Sequence, residues 1–278
     1  MTTPEPIEHV QPPRQMRLRY AGTCVRCGKS IGKGVQAFYD PNTQTVNCVK
    51  CDVQAAPPSP DDPGHAGASA QREYDRRSSA REARVRAALG NMLGGVVLAL
   101  TDEPQSTRAW QRGAIGERRL AESLDGVPGL KILNDRRVPH TRGNIDHIVI
   151  TSAGVFVVDA KLYKGLIKLQ DVGGFFKTDL RLFVGRRDCS QLAQNMGWQI
   201  DAVQRALAAA GLDPPPLVRP VLCFVDGEWP MFSPPSEYNG VCLEGKRSIR
   251  KLISDRQILD AASIDRIYHS LAVAFPPK

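Results

Sequence analysis

The chain has 278 residues, with 24% charged and 42% hydrophobic residues, enough for one large core and a small appendage in an ordinary soluble protein. The formal net charge of +8 makes a polyanionic partner plausible, although many soluble proteins are mildly basic without one. The first residues are polar, and the longest apolar run, around 89–100, is shorter than the roughly 20 residues of a membrane span. We therefore predict no signal peptide, no membrane partner and a cytoplasmic location.

Composition divides the chain into four predicted regions. Residues 1–17 are rich in proline and polar groups, which predicts a disordered leader, and 18–53 form a cysteine-containing module. Residues 54–105 begin with proline, glycine and serine and continue with an arginine-dense stretch, which predicts a linker and a solvated basic helix. The remainder, 106–278, carries the patterns of a larger α/β domain.

The cysteine-containing module holds two C-x-x-C pairs. Their members are Cys24, Cys27, Cys48 and Cys51. Four thiolates at this spacing predict a tetrahedral structural Zn²⁺ site, and alternating residues at 35–39 and 45–47 predict two strands of a zinc ribbon. Two disulfides are the less favoured alternative, because no secretion signal is visible.

The role of this predicted zinc ribbon stays open between three alternatives. It could grip nucleic acid, dock a protein partner, or only stabilise the fold. The basic residues that would serve the first role are Arg17, Arg19, Arg26, Lys29 and Lys33.

An amphipathic helix is predicted near the start of the larger domain. Apolar residues recur at steps of four and three from Trp110 to Leu124, and Glu117 lies on the same stripe. A carboxylate on a buried face is costly unless it is paired or metal-bound. Glu117 is therefore a candidate site residue, and the alternative is a stripe-edge glutamate that pairs with Arg112.

Two β-branched apolar runs follow, at 144–150 and 155–161, separated by a short turn at 151–154. This pattern predicts a hairpin in which Ile150 faces Val155. Stepping outward places Asp146 opposite Asp159, with Lys161 on the face of Asp159. Like charges across a ladder are destabilising, so we infer a bound divalent cation. On this hypothesis, changing either aspartate to asparagine raises stability without metal and abolishes activity.

The remaining patterns predict further strands and helices. We expect strands at 130–134, 166–169, 175–176, 180–184, 217–225 and 240–243, and helices at 189–207, 248–258 and 263–275, the last with Ser263 as N-cap. This order places the candidate residues toward one end of a mixed sheet. Carboxylate ligands suit Mg²⁺ or Mn²⁺, Lys161 would orient the attacking water or stabilise the phosphorane, and Gln191 would hold the lysine or the water.

Three motifs carry a resemblance to a known family. Residues 113–117 (GAIGE), 144–150 (NIDHIVI) and 154–161 (GVFVVDAK) resemble the nuclease-related domain (NERD), which is similar to the restriction-endonuclease-like superfamily. The resemblance covers about 110–225 and implies a mixed β-sheet flanked by helices, an α/β fold of the α+β type. The metal-site pattern of that superfamily, an Asp, then an Asp or Glu, one residue and Lys, falls on Asp146, Asp159 and Lys161.

The same resemblance implies roles for two more residues and for the whole chain. Glu117 falls on the helical acid and Gln191 on the glutamine of the following helix, although 188–190 (DCS) stands where the family often has Asn-Pro. The implied activity is metal-dependent hydrolysis of DNA, with RNA also possible, assisted by the zinc ribbon. The alternative is a non-catalytic module that binds nucleic acid or protein and retains a nuclease-like fold.

Overall fold

The computed structural model describes residues 14–25, 27–41, 45–49, 51, 62–141, 143–212 and 216–278. The chain divides into two compact units, Met1–Ser59 and Pro60–Lys278. Most of the predicted leader, the stretch 52–61 of the predicted linker and Arg26 lie outside the described residues. No helix in the described part of the chain combines the length and apolar character that a bilayer crossing requires.

The first unit is a small β structure. Its strands are β1 (Arg14–Arg17), β2 (Gly22–Thr23), β3 (Ser30–Ile31), β4 (Gln36–Asp40) and β5 (Thr45–Cys48). Strands β1, β4 and β5 form one antiparallel sheet, and β2 pairs with β3. The two strands predicted between the cysteine pairs are present as β4 and β5. Residues 14–17 were predicted to belong to the disordered leader, but they form β1 and pair with β4. All four side chains are exposed, and their sequence shows no alternation of apolar and polar residues that would predict a strand.

The second unit begins with two helices and a mixed six-stranded sheet. The helices are α1 (Ala68–Leu100) and α2 (Gln105–Leu124). The sheet strands are β6 (Lys131–Arg137), β7 (Asn144–Thr151), β8 (Gly154–Lys161), β12 (Val218–Phe224), β14 (Glu237–Tyr238) and β15 (Val241–Glu244). Their order is β14-β15-β12-β8-β7-β6, with β12 parallel to both β8 and β15 and the other pairs antiparallel. The predicted mixed sheet flanked by helices is confirmed.

Helices cover both faces of this sheet. One face packs Val149 and Phe156 against Leu120 of α2, and the other packs Ile148 and Val155 into the larger core. Helices α3 (Ser190–Gln194), α4 (Gly197–Ala209), α5 (Ser248–Leu252) and α6 (Ala261–Ala274) complete the layers. Because β7 and β8 are covered on both sides, their central residues form two continuous apolar runs, Ile148–Ile150 and Val155–Val158.

A smaller sheet projects from the end of β8. It consists of β9 (Gly165–Asp171), β10 (Leu180–Val184), β11 (Arg187–Asp188) and β13 (Gly227–Glu228), in the order β11-β10-β9-β13. The predicted partner of β10 at 175–176 is wrong, because β10 pairs with β9. Phe175 and Phe176 instead lie in the loop between the two strands and are fully exposed.

Three helix predictions differ from the structure. The helix predicted at 189–207 is divided into α3 and α4, and α5 ends well before residue 258. The N-cap of α6 is Asp260, whose Oδ1 accepts the Ser263 N–H at 2.7 Å, so Ser263 is the capped residue and not the cap. The predicted basic helix is the first part of α1, which continues through the apolar run and is kinked at Gly90, where φ is 75°.

Candidate active site

The β7–β8 hairpin forms with the predicted register. Ile150 pairs with Val155, and the paired residues continue to His147 and Val158. One step further along each strand lie Asp146 and Asp159, which therefore come together at the open end of the hairpin. The hairpin thus brings Asp146, Asp159 and Lys161 close together at its open end.

Lys161 is paired with the acidic side chains beside it. Its ammonium forms an ion pair and hydrogen bond with Oδ1 of Asp159, and both side chains are mostly buried. Asp146 Oδ2 lies 3.4 Å from the Ala160 N–H, which points toward it. Although burial works against the ammonium, attraction to Asp159 and then Asp146 holds the pKa of Lys161 above its ordinary value. Lys161 is therefore charged throughout the physiological pH range.

Helix α2 adds the third acid. Glu117 is buried, and its Oε2 accepts the Gly67 N–H at 2.9 Å. Burial, followed by repulsion from Asp135, raises the pKa of Glu117 to about 7. Arg112, the alternative partner considered for this glutamate, donates to the Leu162 carbonyl at 3.2 Å. The glutamate therefore belongs to the hairpin acids and not to a surface ion pair.

Glu117, Asp146 and Lys161 line one cavity of about 550 Å³. Asp159 does not line this cavity, but it contacts the ammonium of Lys161. Burial, with repulsion from Glu117 and Asp159, raises the pKa of Asp146. Lys161 lies beside three carboxylates, and Asp146 and Glu117 offer the cavity the oxygen donors that Mg²⁺ or Mn²⁺ takes. The donor chemistry fits such an ion.

The spacing of these oxygens is wider than that of the cysteine sulfurs. Among the residues that the structure describes, the cysteines alone form a group of three or more metal-binding side chains whose ligand atoms all lie within 4.8 Å of one another. The three carboxylates do not form such a group, and the ammonium of Lys161 lies against Asp159. Asp146 and Asp159 would be the ligands that the hairpin brings to a divalent ion.

Gln191, predicted to support the lysine, lies elsewhere. It is in α3, its Nε2 donates to Asn195 Oδ1 at 3.1 Å, and it lines a separate small cavity with Asp188 and Arg181. The short helix α3 is fastened to β10, because the Ser190 hydroxyl accepts the Leu182 N–H at 3.0 Å. This attachment turns the first turn of the helix toward β10 and β11. The structure therefore does not bring Gln191 to the carboxylates.

Asp135 is a residue of this region that the sequence did not indicate. It is buried in β6 with φ at 48°, a conformation uncommon outside glycine. Its Oδ1 accepts the Ser69 hydroxyl at 2.7 Å and the Asn144 amide at 3.0 Å. Asp135 thereby holds the start of α1, and with it Gly67, beside Glu117. These contacts join residues distant in sequence, so no spacing rule could have revealed them.

Two further residues on the cavity wall form a cationic, aromatic pair. The Arg187 guanidinium lies 4.4 Å from the centre of the Tyr163 ring, and both residues line the cavity. His147 takes no part: it is buried on the strand face opposite to Asp146, and its Nδ1 lies 2.8 Å from Asn134 Oδ1. Burial lowers the pKa of His147 to about 4, so the ring is neutral at physiological pH.

The four cysteines of the first unit are gathered as predicted. Their sulfurs lie within 4.8 Å of one another, and Cys27 Sγ is 3.8 Å from Cys48 Sγ. A disulfide would bring two sulfurs to about 2.05 Å, whereas four thiolates around one Zn²⁺ at about 2.3 Å are separated by about 3.8 Å. The Cys48 N–H also donates to Cys24 Sγ at 3.3 Å. The sulfur set fits a tetrahedral Zn²⁺ ion.

The fold and the site define an α/β domain with a carboxylate–lysine centre on a hairpin. Residues 112–225 match the family model of the Nuclease-related domain, NERD. The resemblance noted in the three sequence motifs is thereby confirmed over this stretch. Comparisons with curated proteins and with solved structures found no match.

Proposed function

We propose that the second unit is a metal-dependent nuclease that hydrolyses phosphodiester bonds of DNA. The observation that carries the proposal is the charged Lys161, held by Asp159 beside Asp146 and Glu117 in one cavity. This cavity lies within the stretch that matches the nuclease-related family model. A net charge of +8 suits a polyanionic substrate.

The residues of the cavity suit hydrolysis of a phosphodiester. Asp146 and Asp159 would hold Mg²⁺ or Mn²⁺, which when bound lowers the pKa of a water molecule and offsets charge on the phosphate. Lys161 would donate a hydrogen bond to a non-bridging phosphate oxygen as water attacks phosphorus and the bond to the leaving oxygen breaks. Glu117 would accept the proton of that water. Arg187 would contact a neighbouring phosphate at the cavity wall.

The first unit supports the same substrate class. Its four thiolates suit a structural Zn²⁺ and a reducing compartment such as the cytoplasm. Arg17, Arg19, Lys29 and Lys33 give this unit a basic character that suits nucleic acid. We propose that the unit increases affinity for the substrate while the second unit cleaves it.

A cleavage assay tests the proposal. Supercoiled plasmid and single-stranded DNA are incubated with the protein in Mg²⁺, in Mn²⁺ and in EDTA. We expect cleavage with either metal, none in EDTA, and a loss of at least about a hundredfold for Lys161→Ala. Lys251→Ala makes the same chemical change at an exposed position on α5 and should cleave like the wild type.

Two results would contradict the nuclease proposal. Cleavage that survives unchanged in Lys161→Ala would show a contaminating enzyme or another centre. No cleavage in any condition, together with metal-independent DNA binding, would favour the alternative of a binding module with a nuclease-like fold.

A further inference from the structure

The loop between β9 and β10 ends in a tight turn with two phenylalanines at its centre. The Lys177 N–H donates to the Gly174 carbonyl at 3.2 Å, which makes Phe175 and Phe176 the two central residues. Glycine, proline, asparagine and aspartate normally occupy such positions, each for a conformational reason. Two aromatic residues supply none of these advantages, so the turn geometry does not explain them.

Packing does not explain the two phenylalanines either. Both are fully exposed, and their ring centres lie 6.1 Å apart with 57° between the ring planes. Single exposed apolar residues are common on protein surfaces, but two adjacent and fully exposed rings at a turn keep a large apolar area in water without any buried contact. The pair is therefore available to a ligand.

The turn is held in a defined shape. Asp171 Oδ1 accepts the Gly173 N–H at 2.9 Å and the Asp179 N–H at 2.8 Å, and the Val172 N–H donates to the Asp179 carbonyl at 2.9 Å. A side chain at Gly173 would collide with the Lys177 carbonyl, so the glycine is required by the close approach of the two strands. The rings are thus presented by an ordered hairpin.

The same hairpin is basic and starts at the cavity. Residues 164–188 contain six lysines or arginines and three aspartates. Lys168 and Arg181 are on its outer face, and Arg187 and Tyr163 at its base line the carboxylate cavity. The hairpin connects the proposed site of cleavage to the aromatic tip. Its excess of positive charge attracts the phosphates of nucleic acid.

We propose that Phe175 and Phe176 are a nucleic-acid contact in which the rings stack on bases of the substrate. The inference rests on the proposed nuclease function and adds a binding site to it. The seven residues of β9 span about 23 Å at about 3.3 Å each, which matches about seven base steps of 3.4 Å.

Binding measured without cleavage tests this site. Fluorescence anisotropy in buffer without Mg²⁺ or Mn²⁺, and without a chelator that would strip Zn²⁺, uses labelled DNA of about 30 nucleotides, single-stranded or duplex, so the result does not depend on catalysis. We expect Phe175→Ala/Phe176→Ala to weaken binding at least about tenfold, since one stacked base is worth roughly this factor or more. The matched control Met231→Ala/Phe232→Ala removes two other exposed apolar residues and should leave binding within about twofold.

A second pair of variants separates stacking from simple apolar contact. Phe175→Trp/Phe176→Trp keeps flat aromatic rings and should bind DNA like the wild type, whereas Phe175→Leu/Phe176→Leu keeps apolar side chains without a π face and should bind like the alanine variant. Equal thermal midpoints for all variants establish that the fold is intact, as expected for side chains without core contacts.

Three outcomes would overturn the proposal. Unchanged DNA binding in the alanine variant would show that the two rings do not contact DNA. Binding by the leucine variant as tight as that of the wild type would exclude stacking. Sedimentation of the wild type with vesicles of phosphatidylserine and phosphatidylcholine, lost in the alanine variant while DNA binding persists, would assign the tip to membranes. Failure of the cleavage assay with normal tip-dependent binding would instead reject only the nuclease function.

Discussion

The Gly67 N–H donates a 2.9 Å hydrogen bond to Oε2 of Glu117, across 50 residues of sequence. Gly67 has φ at 74°, and a side chain there would collide with the backbone of Ala114 in α2. The segment before α1 can therefore reach the glutamate only because position 67 is glycine. This contact makes that segment part of the candidate site.

Gly67→Ala should damage both stability and cleavage. The left-handed backbone costs about 1–2 kcal/mol for a residue with a Cβ, and the collision with α2 adds to that cost. The collision also moves the backbone N–H of residue 67 away from Glu117, so we expect kcat to fall more than KM changes in the cleavage assay, with stability measured by urea unfolding.

Gly90→Ala is the matched control for Gly67→Ala. Gly90 has φ at 75° but nothing within 4 Å of an added Cβ. Because Gly90 combines this φ with ψ at 171°, a conformation almost confined to glycine, we expect a cost of backbone strain at least as large as at Gly67 but normal kcat. Equal kcat in both variants would argue against a role of the Gly67 contact in the site.

Substitution of the two hairpin aspartates by asparagine should change thermal stability in opposite directions when EDTA keeps the site free of metal. Asp146→Asn removes repulsion with Glu117 and Asp159 and leaves the Lys161–Asp159 pair in place, so the thermal midpoint should rise. Asp159→Asn leaves the lysine without its main partner and should cost about 3 kcal/mol. The structure thus separates two changes that the sequence treated alike. The test is thermal unfolding in EDTA. A higher thermal midpoint in both variants would contradict a stabilising role of the Lys161–Asp159 ion pair.

Removal of Zn²⁺ should unfold the first unit alone. Among the residues of this unit that the structure describes, the buried core consists of Leu18, Cys24, Ile31 and Ala37, too few to be stable without metal. We expect Cys48→Ser, or treatment with a strong chelator, to expose residues 14–51 to protease while the second unit stays resistant. Cys242→Ser, a half-buried cysteine of the second unit, serves as control. Resistance of the first unit after verified Zn²⁺ loss would show that the metal is dispensable.

The N-cap of α6 should give a pH-dependent contribution. Hydrogen bonds from the Ser263 hydroxyl and N–H lower the pKa of Asp260 below its usual 3.8. Its ionised form therefore stabilises the fold above pH 3.8, and this contribution is lost as pH falls through the lower folded-state pKa. Asp260→Ala should lower the thermal midpoint at pH 7, and the gap to wild type should narrow as the pH falls below 3.8. A gap that stays constant down to acid pH would exclude the charged cap.

Local patterns predicted much of the centre of the fold. The hairpin register followed from alternation and turn length, because Asp146, Asp159 and Lys161 lie on two neighbouring strands. The cysteine cluster and the buried Glu117 also followed from spacing along one segment. These features depend on short-range geometry, which a sequence displays directly.

Other features depend on contacts that spacing cannot show. The clamp of Asp135 on Ser69 spans 66 residues, and the position of Gln191 depends on how α3 attaches to β10. The aromatic turn at 175–176 looked like a strand because phenylalanine is common in strands. Tertiary packing and close backbone approach decided these cases.

The order of strands along the chain suggests that the hairpin aspartates come together before the site is buried during folding. Strands β7 and β8 are joined by a short turn, so this hairpin can form within about 1–10 μs. Strand β12 is distant in sequence from β8, and its Val218 pairs in parallel with Val155. We therefore expect the acids to meet while water still surrounds them, and their repulsion to become costly only when β12 and the helices dock. Substitutions in the hairpin should then slow folding, while those in β12 should mainly accelerate unfolding.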